Sequence, residues 1–168
     1  NFTAKPGEGD SEVLWLGGSR YDNKTGGAND LLLQSKDGSF SVASYVNFRT
    51  RSYTHSAGVS DLDADGWPDI FFANDYARDE LFMNRWGRAV IDVTREKLPL
   101  EWHGNSGMNG EIVDYNNDGR PDIYVTNVYK PPFYNAVNLL WEQQEDGRFQ
   151  ATSIDNKTAH CGFSWGAK

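Results

Sequence analysis

The sequence has one cysteine, a deficit of cationic residues and no long apolar run. Cys161 is the single cysteine among 168 residues, so no disulfide can form within the chain. Lys and Arg number 16 against 24 Asp and Glu, and the formal net charge is −8. Because such a surface repels phosphate groups, nucleic acids and anionic membrane surfaces are disfavoured as partners. No apolar stretch approaches the roughly 20 residues that cross a bilayer, so we expect no membrane-spanning helix.

Aromatic residues and glycine, by contrast, are plentiful. Phe, Trp and Tyr make up 14% of the chain, and there are 17 glycines. This composition favours strands and tight turns over helices. The predicted fold class is therefore all-β.

The acidic residues are concentrated in two repeated segments. Residues 61–69 (loop 1) and 114–122 (loop 2) share the pattern D-x-[DN]-x-D-G-x-P-D and begin 53 residues apart. Together they hold seven of the 24 acidic residues. The charge excess is thus a local feature of two loops rather than a diffuse surface property.

Strand-like runs repeat around these loops. Each loop follows a glycine-rich segment and precedes an apolar run that ends in Asn. Two more strand-like runs come next, in which we match Leu81 of the first copy with Leu139 of the second. The same tail, without an acidic loop, occurs earlier in the chain. Four short strands per unit of about 50 residues are typical of β-propeller blades.

The predicted architecture is a single partial β-propeller over residues 1–168 with about three blades. The approximate blades are 12–46, 55–95 and 107–154, and a further blade starts at 160–168. An open array of this kind leaves strand edges and blade faces uncovered. We therefore expect the chain to be part of a larger ring, or to complete one by association.

The two loops have the composition of calcium sites. Alternating carboxylates repel one another without a counter-ion, and calcium takes six to eight oxygen ligands in flexible geometry, whereas magnesium demands a stricter octahedron. Positions 1, 3, 5 and 9 offer side-chain oxygens, position 7 offers its backbone carbonyl, and glycine at position 6 permits the sharp turn. The predicted ligands of two calcium ions are Asp61, Asp63, Asp65, Trp67 (backbone) and Asp69 in loop 1, and Asp114, Asn116, Asp118, Arg120 (backbone) and Asp122 in loop 2. Since Asn116 replaces a carboxylate, loop 2 is expected to bind more weakly.

Two other interpretations fit the loops less well. An EF-hand needs a bidentate Glu at position 12 between helices, but Phe72 and Val125 stand there and the flanks are strand-like. An Asx-rich hairpin turn without a metal accounts less well for two matching copies.

The two loops, each followed by an apolar strand, resemble the FG-GAP/VCBS repeats of integrin α-subunit propellers and bacterial exported proteins. The segments 74–76 (Asn-Asp-Tyr) and 162–166 (Gly-Phe-Ser-Trp-Gly) look most like the ASPIC/UnbV and cartilage acidic protein-related group. The resemblance covers residues 12–168. It implies calcium-loop blades with the ligand sets given above, and no third site, because no D-x-D-x-D-G precedes Glu12.

A partner-binding candidate lies in an insertion of the last complete blade. Two conformationally rigid prolines are followed there by two aromatic residues that can contact a partner: Pro131, Pro132, Phe133 and Tyr134. Long loops on repeat scaffolds often carry binding specificity. The three histidines, His55, His103 and His160, lack the spacing of a metal-ligand pair, and we interpret them as polar residues at strand entrances.

The predicted function is that of a non-enzymatic calcium-binding module for protein–protein interaction or scaffolding, extracellular or periplasmic, with calcium mainly structural. One alternative is a carbohydrate-binding, lectin-like propeller that uses loop aromatic residues such as Trp67 and Trp86. A second is a non-catalytic part of a larger enzyme or complex, since no nucleophile, base and oxyanion site are recognisable in the sequence.

Overall fold

Short antiparallel strands make up nearly all of the regular structure. The computed structural model describes residues 26–48, 51–99, 105–130, 134–135, 137–160, 162 and 164–167. The elements are β1 (Leu32–Gln34), β2 (Phe40–Val42), β3 (Tyr53–Ser60), β4 (Asp69–Ala77), β5 (Glu80–Arg85), β6 (Ala89–Asp92), α1 (Thr94–Lys97), β7 (Asn105–Val113), β8 (Asp122–Asn127), β9 (Tyr129–Lys130), β10 (Tyr134–Asn135), β11 (Leu139–Gln143) and β12 (Phe149–Ala151).

Two four-stranded meanders form the body of the structure. Strands β3, β4, β5 and β6 pair in that order, and we call them blade A. Strands β7, β8, β11 and β12 pair in the same way and form blade B. Antiparallel meanders of four strands are the units of a β-propeller. The predicted all-β fold class with propeller blades is confirmed.

The two blades share one hydrogen-bonded sheet. Strand β4 pairs with β7 of the next blade, with Asp75 opposite Ser106 and Ala77 opposite Asn105. This pairing uses the last residues of β4, on both sides of a bulge between Asp75 and Ala77. The second strand of blade A is thereby joined to the first strand of blade B.

Residues 70–73 of β4 are apolar on both faces of the strand because both faces are covered. Side chains of a strand alternate between its faces, and here Phe71 and Ala73 join a core that contains Ile123, Val125 and Trp141 of blade B. Ile70 and Phe72 point to a second core with Phe48 and Phe82. Trp141 is fully buried. The larger core therefore lies between the blades, as stacked propeller blades require.

The earlier repeat is present as the pair β1–β2. Leu32 lies opposite Val42 and Gln34 opposite Phe40. Leu31 and Val46, which flank this pair, pack against the second core. Residues 1–25, which include residues 12–25 of the predicted first blade, lie outside the described residues.

Two elements of the structure were not expected from the sequence. The helical turn α1 follows β6 and was not predicted; the Thr94 hydroxyl in it accepts the Leu81 N–H at 2.9 Å. The insertion forms a short hairpin of β9 and β10. Among the described residues, no helix has the length and apolar character needed to cross a membrane.

The match of Leu81 with Leu139 was wrong by one residue. Leu81 lies opposite Phe71, and Leu140 lies opposite Tyr124. Because Phe71 and Tyr124 hold the same position after their loops, the structural counterpart of Leu81 is Leu140. Asn138 is consequently the counterpart of Asp79.

Candidate metal centre

Both acidic loops join the first strand of a blade to the second. In loop 1, which connects β3 to β4, carboxylate oxygens of Asp61, Asp63 and Asp65 lie within 4.8 Å of one another. The alternation of acidic and other residues, combined with the turn of the backbone, brings these three side chains to one side. This grouping is the one that the sequence predicted for positions 1, 3 and 5.

The loop 1 backbone is wrapped around its first aspartate. Asp61 Oδ1 accepts the N–H of Asp65 at 3.1 Å, and Oδ2 accepts that of Gly66 at 2.9 Å. Asp65 Oδ1 in turn accepts the Trp67 N–H at 2.9 Å. The turn requires left-handed backbone at two residues, with φ of 58° at Ala64 and 88° at Gly66. Glycine takes the second of these conformations without steric cost.

Loop 2 has the same three backbone hydrogen bonds to its aspartates. Asp114 accepts the N–H groups of Asp118 at 3.1 Å and Gly119 at 2.8 Å, and Asp118 Oδ1 accepts that of Arg120 at 2.9 Å. The left-handed residues are Asn117, with φ of 61°, and Gly119, with φ of 86°. Two segments of different sequence therefore adopt one conformation, which is set by the residues that they share.

The aspartates at position 9 tie each loop to its blade. Asp69 is fully buried; it accepts the N–H of Leu62 through Oδ2 and that of Asn84 through Oδ1, both at 2.8 Å. Asp122, also fully buried, accepts the Tyr115 N–H at 3.3 Å and the Gln143 N–H at 2.8 Å. Burial raises the pKa of both carboxyl groups, although these N–H bonds oppose the shift. Position 9 thus has a clamping role in addition to its predicted role as a ligand.

Each loop also has an arginine on one of its carboxylates, which the sequence analysis did not anticipate. Arg85 Nη1 lies 2.9 Å from Asp63 Oδ2. In loop 2 the Arg120 Nη2 group bonds Asp118 Oδ2, while Arg120 Nε donates to the Gln143 carbonyl at 3.0 Å. No sequence signal links Arg85 to loop 1, because the contact depends on where β5 lies.

Position 7 is where the two loops differ most at the surface. Trp67 is 41% exposed, and its ring lies so close to Gly87 that an added Cβ there would meet it at 2.6 Å. Gly87 follows Trp86 in the β5–β6 turn, and Trp86 is 66% exposed with φ of 55°. The partly exposed Trp67 ring therefore lies against the turn that carries Trp86, whereas loop 2 has Arg120 at position 7.

A second set of carboxyl groups is buried at the opposite end of β4. Asp79 Oδ1 accepts the Asn74 N–H at 3.0 Å, and Asn74 Nδ2 donates to Glu80 at 3.1 Å. Burial, with the nearby charge of Glu80, raises the pKa of Asp79 to about 7. In blade B the same backbone bond is made by a neutral amide, because Asn138 Oδ1 accepts the Asn127 N–H at 2.8 Å.

The remaining predicted residues are placed only in part. Pro131, Pro132 and Phe133 lie outside the described residues, and Tyr134 belongs to β10. His55 is exposed on β3 with its Nδ1 3.3 Å from the Met108 sulfur.

Comparison with known proteins identifies one family. The sequence profile described as the FG-GAP-like repeat matches residues 7–72 and 61–125. The second match begins at loop 1 and ends just after loop 2, so it spans one period of the repeat. No curated protein matches the sequence.

Proposed function

Because the chain belongs to the FG-GAP-like repeat family, we propose that it is a calcium-stabilised propeller module that binds a protein partner. The observation that carries this proposal is the clustering of three loop 1 carboxylates within 4.8 Å, in a backbone frame that loop 2 reproduces. Repeat propellers of this family serve in protein interaction and are generally not catalysts. The proposed role is accordingly non-enzymatic.

The donor chemistry of both loops fits calcium. The available groups are carboxylate, amide and backbone carbonyl oxygens, which hard cations prefer, and none is a nitrogen or sulfur ligand. The residues proposed to hold the ions are the ligands predicted from the sequence: Asp61, Asp63, Asp65, Trp67 and Asp69 in loop 1, and Asp114, Asn116, Asp118, Arg120 and Asp122 in loop 2. Bound calcium supplies the positive charge that offsets carboxylate repulsion, and so holds the first two strands of each blade together.

The same chemistry supports an extracellular or periplasmic setting. FG-GAP-like repeats are typical of exported proteins, and extracellular calcium modules bind at about 10⁻⁴–10⁻³ M. Such sites are filled at the millimolar calcium outside cells. Occupation at tenfold above Kd stabilises the fold by about 1.4 kcal/mol per site.

The calcium proposal is tested by thermal unfolding in EDTA and in millimolar calcium chloride. We expect calcium to raise the Tm of the wild-type protein, and Asp65→Ala to remove a large part of this gain. Asp146→Ala, which removes an equal charge from the β11–β12 turn outside either loop, is the matched control and should keep the gain. Asp69→Ala should lower the Tm even in EDTA, because it leaves two N–H groups without their acceptor. A wild-type Tm that is the same in EDTA and calcium would refute the proposal.

The partner-contact proposal concerns the β9–β10 hairpin, with Pro131, Pro132, Phe133 and Tyr134. Its support is the position of these residues in an insertion between β8 and β11, which the regular meander does not need. Replacing Phe133 and Tyr134 by Ala should weaken partner binding and leave the Tm unchanged. Unchanged affinity in the double variant would exclude this hairpin as the contact.

A carbohydrate-binding function is the second candidate, favoured by the exposed indoles of Trp67 and Trp86. Trp86 occupies a left-handed backbone conformation, which costs a non-glycine residue about 1–2 kcal/mol, yet it is 66% exposed. Strain in an exposed aromatic residue points to a use outside folding. Titration of tryptophan fluorescence with a panel of neutral glycans tests this function. Trp165 is a similarly exposed tryptophan elsewhere. A fluorescence response that is lost in Trp86→Ala and kept in Trp165→Ala would favour carbohydrate binding over protein scaffolding. The absence of any response in the wild type would exclude carbohydrate binding.

A further inference from the structure

The two arginines that contact the loops occupy oxygens that a metal ion needs. Arg85 bonds the carboxylate at position 3 of loop 1, and Arg120 bonds the carboxylate at position 5 of loop 2. The guanidinium and carboxylate groups are about one quarter to one third exposed. At that depth, attraction between opposite charges is only partly screened by water and salt. A cation that enters either loop therefore meets a positive charge already in place.

The arginines are held in different ways. Arg120 belongs to loop 2 itself and has a second anchor, since its Nε donates to the Gln143 carbonyl at 3.0 Å. Arg85 reaches loop 1 from the end of β5, and its described side-chain contact is the one with Asp63. A side chain fixed at two points loses little additional entropy when it pairs with a carboxylate. Arg120 is thus the more firmly placed of the two.

Charge also differs between the loops. Loop 1 has four carboxylates and one paired arginine, whereas loop 2 has three carboxylates, Asn116 and one paired arginine. Loop 2 therefore attracts a divalent cation less and repels it through a better anchored guanidinium. Both differences act in the same direction.

We propose that Arg85 and Arg120 are internal counter-cations that set the affinity of the two loops for calcium, with Arg120 making loop 2 the weaker site. This inference rests on the proposed calcium function. In the absence of metal each guanidinium offsets part of the carboxylate repulsion, so the loop keeps its fold. When calcium binds, the same charge opposes binding and lowers the affinity. The arginines thereby lower the calcium affinity of the loops and stabilise their metal-free form.

The test combines calorimetric titration with calcium chloride and urea unfolding in EDTA. In Arg120→Gln we expect the weaker site to tighten about tenfold, because a positive charge close to the ion is removed. The same variant should unfold at lower urea than the wild type in EDTA. Arg120→Lys keeps the charge without the two-point anchor. Its calcium affinity and its urea midpoint in EDTA should lie between those of the wild type and Arg120→Gln. Arg85→Gln should likewise raise the calcium affinity of loop 1 and lower the urea midpoint in EDTA, but both effects should be smaller.

Arg148→Gln is the matched control, because Arg148 faces Asp146 at 3.9 Å on the β11–β12 turn and contacts neither loop. It should change each calcium affinity less than twofold. If the wild type binds calcium and Arg120→Gln matches it in affinity and in EDTA stability, the arginine inference is overturned while the calcium proposal stands. If the wild type binds no calcium, both fail.

Discussion

Blades A and B are built on one frame, and their differences lie at a few side chains. The loops share every backbone hydrogen bond to positions 1 and 9. Among the differences are position 3 (Asp63 or Asn116), position 7 (Trp67 or Arg120), and the change from Asp79 to Asn138 after the second strand. The loop residues that hold the backbone at positions 1 and 9 are thus constant, and the acceptor after the second strand changes from a carboxyl group to an amide while keeping the same backbone hydrogen bond. The comparison separates the requirements of the fold from those of each site.

Glycine at 107 shows how a neighbouring blade can override the shared frame. In blade A, Thr54 donates to Asn74 Oδ1 at 2.6 Å. Gly107 holds that position in blade B, where a Cβ would lie 3.0 Å from the Asn74 carbonyl of blade A. Asn127 Oδ1 consequently has no partner among the described residues. Close contact between blades is kept at the expense of one hydrogen bond.

The largest expected effect concerns the core between the blades. Trp141→Ala should lower the free energy of unfolding by about 3–5 kcal/mol, because it opens a cavity where blade A meets blade B. Trp86→Ala, at an exposed tryptophan, should change it by less than about 0.5 kcal/mol. Urea denaturation followed by circular dichroism measures both. Similar small losses in the two variants would show that the blades are not stabilised through this core.

An intermediate effect is expected from the Asp79 and Asn138 pair. Burial raises the pKa of Asp79 to about 7 in the folded state, above its unfolded value of 3.8. Its stabilising contribution is therefore complete below about pH 4 and is lost as the pH rises through about 7. Asp79→Asn should remove this loss. Between pH 5 and pH 7.5 the free energy of unfolding of the variant should therefore gain on the order of 2 kcal/mol relative to that of the wild type.

The reciprocal change, Asn138→Asp, should introduce a similar pH dependence into blade B. Urea midpoints of the wild type and both variants at pH 5, 6 and 7.5 provide the measurement. Parallel pH profiles for the wild type and Asp79→Asn would contradict a buried, titrating Asp79.

The smallest expected effect tests whether the loops have one conformation. Gly66 and Gly119 have nearly the same positive φ, 88° and 86°, and no atom lies within 4 Å of an added Cβ at either. Gly66→Ala and Gly119→Ala should each lower the free energy of unfolding in EDTA by about 1 kcal/mol, through backbone strain alone. Unequal losses would show that the loops are constrained differently in solution.

Much of the frame was predictable from local signals. The Asp-Gly pattern predicted the turn, the apolar runs predicted the strands, and the repeat predicted the meander. Residues such as Asp61 and Gly66 act through neighbours four or five positions away, so their spacing carries the information.

Other features depend on contacts that the sequence does not encode locally. Asp69 accepts an N–H from Asn84, 15 residues away, and Arg85 reaches Asp63 across 22 residues. Both contacts require β5 to lie beside β4. The match of Leu81 with Leu139 failed for a related reason. Apolar character alone favours that match, but Asp79 and Asn138 accept equivalent backbone N–H groups, and this equivalence sets the alignment of the two blades.

The pairing of β4 with β7 has a consequence for how the array comes apart. In a simple repeat array each unit touches its neighbours through side chains, and units can open one at a time. Here β4 shares its main-chain ladder with β3, β5 and β7. Opening blade A must therefore break backbone hydrogen bonds that blade B also uses. Hydrogen exchange at Asp75, Ala77 and Ser106 should consequently report one opening event, with both blades exchanging as a single cooperative unit.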